Sequence, residues 1–152
     1  MADYAGAVVA MRDYFVARWV DGSAARTPIA FQNEAFADQT SAWVMFEVIN
    51  ETSELRGAGT PGSHVWLYRG NIFVHVFVPK DQGAAEANTL AVAAGEIFRA
   101  KQFYDADPGC GVRTGVGPEG EGPRVDGGGS GADDGNWWRV TCTIPFEFYY
   151  RG

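Results

Sequence analysis

The stretch from Trp137 to Tyr150 constrains the fold most. Its apolar residues recur at every second position (Trp138, Val140, Cys142, Ile144, Phe146 and Phe148), while Arg139, Thr141, Thr143 and Glu147 occupy alternate positions. Successive side chains of a strand point to opposite faces, so this pattern predicts a long strand with one buried and one open face. Such a strand is not stable alone. Its edges need hydrogen-bond partners, and its apolar face needs a covering layer.

Further strands are legible upstream. Ala42 to Ile49 is β-rich and nearly all apolar, which predicts a well-covered strand. Asn50 to Gly62 reads as a polar loop. Ser63 to Val78 predicts a long strand run, with Ile72, Val74, Val76 and Val78 on one side and Phe73, His75 and Phe77 on the other. Gly70 marks a bulge or a bend in it. Val112 to Val116 predicts a short strand.

Two segments carry helical spacing. Tyr4, Val8, Met11, Phe15 and Trp19 form one apolar stripe, with Asp3 in the first turn and Arg18 in the last. Asp21-Gly22-Ser23 ends that helix, and Ile29 to Thr40 shows no clear period. From Ala84 to about Phe103, Ala87, Leu90, Ala91, Ala94, Ile97, Phe98 and Lys101 keep a helical period. Alanine dominates there, which lets the helix lie close on a sheet. The expected fold is α+β: two helices packed on a mostly antiparallel or mixed, twisted sheet, in a single domain spanning 1–152.

The chain has 152 residues, with 12 Lys+Arg against 19 Asp+Glu and a net charge of −7. That length holds a core without disulfides or metal. No window approaches about 18 uncharged apolar residues, so no membrane-spanning helix is expected. Asp3, Arg12, Asp13 and Arg18 interrupt the first twenty residues, which read as a helix and not as a secretory signal. An acidic chain without a basic run is poorly suited to gripping phosphates.

The glycines are unevenly placed. Gly117 to Gly135 holds 8 of the 20, together with Glu119, Glu121, Asp126, Asp133, Asp134 and one base, Arg124. This composition predicts a flexible Gly/acid-rich loop. Its spacing fits neither a calcium loop nor a phosphate cradle. Trp137 stands beside it and points away from the face that Trp138 uses, so it reads as exposed or covered by a partner.

Catalytic groupings are thin. His64 and His75 lack the spaced acid or cysteine companions of a zinc site. Cys110 and Cys142 pair only if their strands are neighbours in register; without a secretion signal they read as reduced thiols, with Cys142 in the core. No catalytic, cofactor-binding or metal residue is expected.

The succession Tyr68-Arg69-Gly70-Asn71-Ile72-Phe73-Val74-His75-Val76-Phe77-Val78-Pro79, then Gly83 and the Ala-rich helix, then Asn136-Trp137-Trp138-Arg139-Val140 through Ile144-Pro145-Phe146-Glu147-Phe148-Tyr149, resembles the tail-terminator-like proteins of long-tailed phages and phage-derived gene transfer particles. The resemblance implies structural work in the virion, at the head-proximal end of the tail, after assembly in the bacterial host cytoplasm. Such proteins form a ring, typically a hexamer, which caps the tail tube, stops tube polymerisation and offers the head connector or stopper a docking surface. DNA passes through the lumen without specific binding; no enzyme activity, cofactor or membrane is implied. On this reading Glu119, Glu121, Arg124, Asp126, Asp133, Asp134 and Trp137 are the candidate partner-binding residues.

Two other readings remain. One is a small-ligand or enzyme domain of the cone-shaped α+β type, with Trp43, Phe46, Phe73 and Phe77 lining a pocket that contains His75. The other is a different head–tail joining protein, such as a stopper.

Overall fold

Helix α1 (Tyr4–Arg18) begins where Asp3 caps it, its Oδ1 accepting from the Gly6 N–H at 2.7 Å. A cap of this kind stabilises a helix by about 1 kcal/mol. The computed structural model describes residues 2–37, 39, 41–130 and 135–152. Ala7, Met11 and Phe15 are buried along α1, and Trp19 just beyond it is buried too. Tyr4 and Val8 flank this stripe, half-buried. Phe15 stacks on Trp19 and on Phe46, with ring centroids 5.1 and 5.0 Å apart. The Trp19 Nε1–H donates to Thr27 Oγ1 at 3.0 Å, so the indole is buried without an orphaned donor.

After α1 the chain makes a small antiparallel pair, β1 (Val20–Asp21) and β2 (Ala24–Ala25), turning at Gly22. β3 (Ile29–Phe31) then runs parallel to β4 (Trp43–Gly57). β4 pairs antiparallel with β5 (Val65–Pro79). Helix α2 (Ala85–Phe98) follows, then β6 (Lys101–Phe103), β7 (Gly111–Thr114), β8 (Arg124–Gly129) and β9 (Trp137–Arg151). The sheet order is β3-β4-β5-β9-β7-β6, with β8 also on β9. The architecture is α+β, and the sheet is antiparallel apart from the β3–β4 pair.

β9 is central. Along its whole length it pairs with β5, from Val65↔Arg151 to Pro79↔Trp137. Its other edge is shared by β7, opposite Phe146–Tyr149, and β8, opposite Arg139–Thr143. Pro145 falls in the gap between them. The Gly115 N–H donates to the Pro145 carbonyl at 2.8 Å, so that side of residue 145 faces the gap. N–H and C=O of one strand residue point the same way. The missing proline N–H therefore costs no ladder bond, although the strand is central.

Val44, Phe46 and Val48 of β4, Ile72, Val74, Val76 and Val78 of β5, and Val140, Cys142, Ile144, Phe146 and Phe148 of β9 lie buried in one cluster with both helices. Those faces match the sequence reading of the two long strands. Along α2, Ala87, Leu90, Ala91, Ala94, Gly95 and Phe98 are buried. A Cβ on Gly95 would lie 3.1 Å from the Cys142 sulfur and 3.0 Å from Pro123, so small residues set this close approach.

Four expectations need correction. β4 continues to Gly57, where a polar loop was expected from Asn50; residues 51–56 are exposed, so no apolar alternation marks the strand. The irregularity expected at Gly70 sits opposite, in β4, between Asn50 and Thr52. Gly70 makes room for it, because a Cβ there would run into the Ile49 carbonyl. Helix α2 stops at Phe98 and not near Phe103: Ala100 adopts φ +51°, and the Thr114 hydroxyl donates to the Phe98 carbonyl at 2.8 Å. Finally, the segment 117–135, expected as one loop, contains β8.

Replacing Phe15 with alanine empties the junction of α1, α2 and β4. We expect a loss of about 3–5 kcal/mol in urea unfolding.

Candidate functional site

Both helices cover the same face of the sheet, so the opposite face is left to the odd-numbered side chains of β5 and β9 and their neighbours. Three cross-strand rows run over it. In the first, Met45, His75, Thr141 and Asp126 stand in register; in the second, Glu47, Phe73, Thr143 and Arg124; in the third, Thr52, Arg69, Glu147 and Arg113.

His75 ties the centre together. Its Nε2–H donates to Glu47 Oε1 at 2.7 Å, and its Nδ1 lies 2.8 Å from Thr141 Oγ1. An ionised carboxylate only accepts, so Nε2 carries a proton, and in the neutral ring the Thr141 hydroxyl donates to Nδ1. Phe73 lies parallel to the imidazole at 6.0 Å. Toward β8, the Thr143 hydroxyl donates to Asp126 Oδ2 at 3.2 Å, and Arg124 Nε donates to Asp126 Oδ1 at 2.9 Å. Toward the other end, Arg69 Nε donates to Glu147 Oε1 and the Tyr149 hydroxyl to Glu147 Oε2, both at 3.3 Å. The Arg113 guanidinium stands 5.4 Å from the Tyr149 ring.

A hydroxyl, an imidazole and a carboxylate in contact have the composition of a nucleophile relay. Two cavities beside this face, about 570 and 460 Å³, open at the third row, where Arg113 lines both and Arg69 and Glu147 line the smaller; neither is lined by Glu47, His75 or Thr141. The aromatic pocket considered above does not form. Phe46 points into the helix-covered core, whereas Trp43 stacks on Phe77 at 4.1 Å in a separate cluster on the other face. Among the described residues, no three His, Cys, Asp or Glu side chains gather to hold a metal ion. No described helix is long and apolar enough to cross a membrane.

The candidate partner-binding residues are divided by the fold. Arg124 and Asp126 lie on the open face, on β8. Glu119 and Glu121 sit exposed on the turn before it, where Glu121 Oε2 accepts from the Glu119 N–H at 2.9 Å. Asp133 and Asp134 lie outside the described residues. Trp137 is half-buried against the chain itself, edge-on to Trp43 at 6.0 Å in the cluster with Phe36 and Phe77. Sequence reasoning missed the Glu47–His75–Thr141 bridge. His75 and Thr141 were placed on non-core faces, but pairing them requires the β5–β9 register.

Both thiols are free. Cys142 faces the helices at mid-β9, whereas Cys110 precedes the β7 residue opposite Tyr149, far along the strand. Burial, then the Asp126 carboxylate, pushes the Cys142 thiol up to about 12. It stays protonated near neutral pH and is a poor nucleophile. With iodoacetamide at pH 8 we expect native protein to label at the half-buried Cys110 while Cys142 labels only after unfolding, as peptide mass spectrometry will show.

Comparison with known proteins gives three results. The family model described as "Phage tail terminator protein" matches residues 9–146. One similar solved structure has a TM-score of 0.61 at 20% identity, covering 92% of this chain and 94% of that one, a likeness of fold. No curated protein matches.

Proposed function

Because the chain belongs to the phage tail terminator family, matched over residues 9–146, we propose that it forms a ring that caps the tail tube and receives the head connector. The family is one of structural tail-completion proteins, which places the chain in the virion among other tail and head proteins. The ring, read as a hexamer, stops addition of tube subunits at the head-proximal end of a phage tail or gene transfer particle. DNA passes through its lumen without specific contacts.

The family match carries this reading, and the surface supports it. One sheet face is packed by helices, while the other displays an ordered set of charged and hydroxyl side chains on paired strands. The Arg124–Asp126 pair on β8 is exposed, and such a pair contributes only about 0–1 kcal/mol to stability. The half-buried contacts beside it hold their side chains in fixed positions, a preformed polar surface for a partner. The turn and strand bearing Glu119, Glu121, Arg124 and Asp126 form the acidic rim offered to tube or connector. Repulsion between like charges keeps such a rim off the DNA backbone.

Tail tubes polymerised with and without the purified protein test this in the electron microscope. Rings seated at one tube end and an arrest of elongation are expected. Tubes that grow at the same rate and stay uncapped overturn the assignment. Glu119→Gln with Glu121→Gln is expected to leave thermal unfolding unchanged and to weaken capping, read as the fraction of capped tubes.

A further inference from the structure

Around its third row the open face carries cations that the chain leaves unpaired. Glu147, Tyr149 and Arg151 share the side of β9 that turns away from the helices, because Phe146 and Phe148 point into the core. Arg113 of β7 and Arg69 of β5 stand opposite Glu147 in register, one on each side, so they share that face. Glu147 is turned to other partners than Arg113: its Oε1 accepts from Arg69 Nε and its Oε2 from the Tyr149 hydroxyl. Among the described residues no carboxylate lies within ion-pair distance of Arg113 or Arg151. This holds in a chain of net charge −7.

Both guanidinium groups have built seats. That of Arg113 stands 5.4 Å from the Tyr149 ring. That of Arg151 lies over Gly109, which adopts φ +78°. A Cβ on Gly109 would come within 2.6 Å of Arg151 Nε, so glycine leaves this seat open. The two arginines line one cavity of about 570 Å³, together with Tyr149 and Gln102. Side chains placed in advance lose less freedom on binding. The guanidinium fork also matches a carboxylate or a phosphate with two parallel hydrogen bonds.

The cavity's remaining residues choose between those anions. Asp105 and Asp107 line it too. Asp105 accepts from Gln102 Nε2 at 3.1 Å, and Asp107 from the Ala2 N–H at 2.6 Å. A run of phosphates is negative at every unit and has no backbone donor, so these aspartates repel it. A polypeptide places acids singly and brings N–H donors that a carboxylate accepts. Arg113 faces Glu147, and Arg151 lies four residues further along β9, about 13 Å at about 3.3 Å per residue. Acids two or four residues apart in an extended segment project to one side over that span. We propose that this cavity docks an extended acidic segment of another virion protein, with two of its carboxylates held by Arg113 and Arg151. That the partner belongs to a virion rests on the function proposed above; the carboxylate site stands on the geometry.

The experiment uses fluorescein-labelled Gly-Glu-Gly-Glu-Gly-Glu-Gly, its glutamine counterpart and a short single-stranded DNA, read by fluorescence anisotropy. The glutamate peptide is expected to bind, and the glutamine peptide is not. Arg113→Gln or Arg151→Gln is expected to weaken binding about tenfold, and both together to abolish it. Both arginines are exposed, so unchanged melting curves are expected. With tails and heads, R113Q/R151Q is expected to leave fewer joined particles. Glutamate peptide that fails to bind, or that binds the double variant equally well, overturns the site. DNA bound as tightly as the peptide, and lost in the double variant, also overturns it and makes the cavity a phosphate site. A double variant that loses the peptide yet joins heads to tails as the wild type does overturns the docking role. Wild-type protein that never caps tubes but binds the peptide through these arginines overturns the ring and supports the carboxylate site.

Discussion

The structure depends on β9 being hydrogen-bonded along both edges. β5 takes one edge for its full length, and β7 and β8 divide the other. Pairing both edges satisfies most backbone N–H and C=O groups of this long strand. It also dictates details elsewhere. Pro145 is tolerated because it faces the break between β7 and β8. β8 exists, despite three glycines in its six residues, because that edge would otherwise be bare. With β9 held on both sides, α2 can lie directly across it, and the alanines and Gly95 of α2 set how closely it does so.

The same arrangement gives the sheet one packed face and one polar face. The core is helix-side and continuous, running from Phe15 and Trp19 through Phe46, Val74 and Cys142 to Phe98. The other face carries Glu47, His75, Thr141, Arg69, Glu147 and Asp126 in cross-strand contact. Such contacts hold side chains in fixed positions. A surface whose polar groups are already ordered loses less entropy on docking than one of free side chains. That is a useful property for a structural protein whose work is contact with other proteins.

Much of the fold was legible in the sequence because the apolar residues of the long strands keep period two and those of the helices keep period 3.6. The faces of β5 and β9 and the buried side of α1 followed directly. Legibility failed where a strand has no buried face. Asn50–Gly57 and Arg124–Gly129 are strands held by backbone pairing to β5 and β9, and their side chains are mostly exposed, so polar and glycine-rich composition pointed to loops. The end of α2 was overrun because Gln102 and Phe103 carry no stop signal. The turn at Ala100 is imposed by the Phe98 carbonyl meeting Thr114.

For the candidate site, the sequence by itself determined which residues avoid the core: His75, Thr141, Thr143 and Glu147 sit at positions of opposite parity to the apolar set. Tertiary structure decided which of them meet. The β4–β5 and β5–β9 registers bring Glu47 to His75 and His75 to Thr141, across separations of 28 and 66 residues. Trp137 was likewise placed off the core face correctly, yet its cover is Trp43 and the Phe36 cluster of its own chain. Parity is a local property of the strand. Register and cover depend on what lies alongside, and only the folded sheet brings those neighbours together.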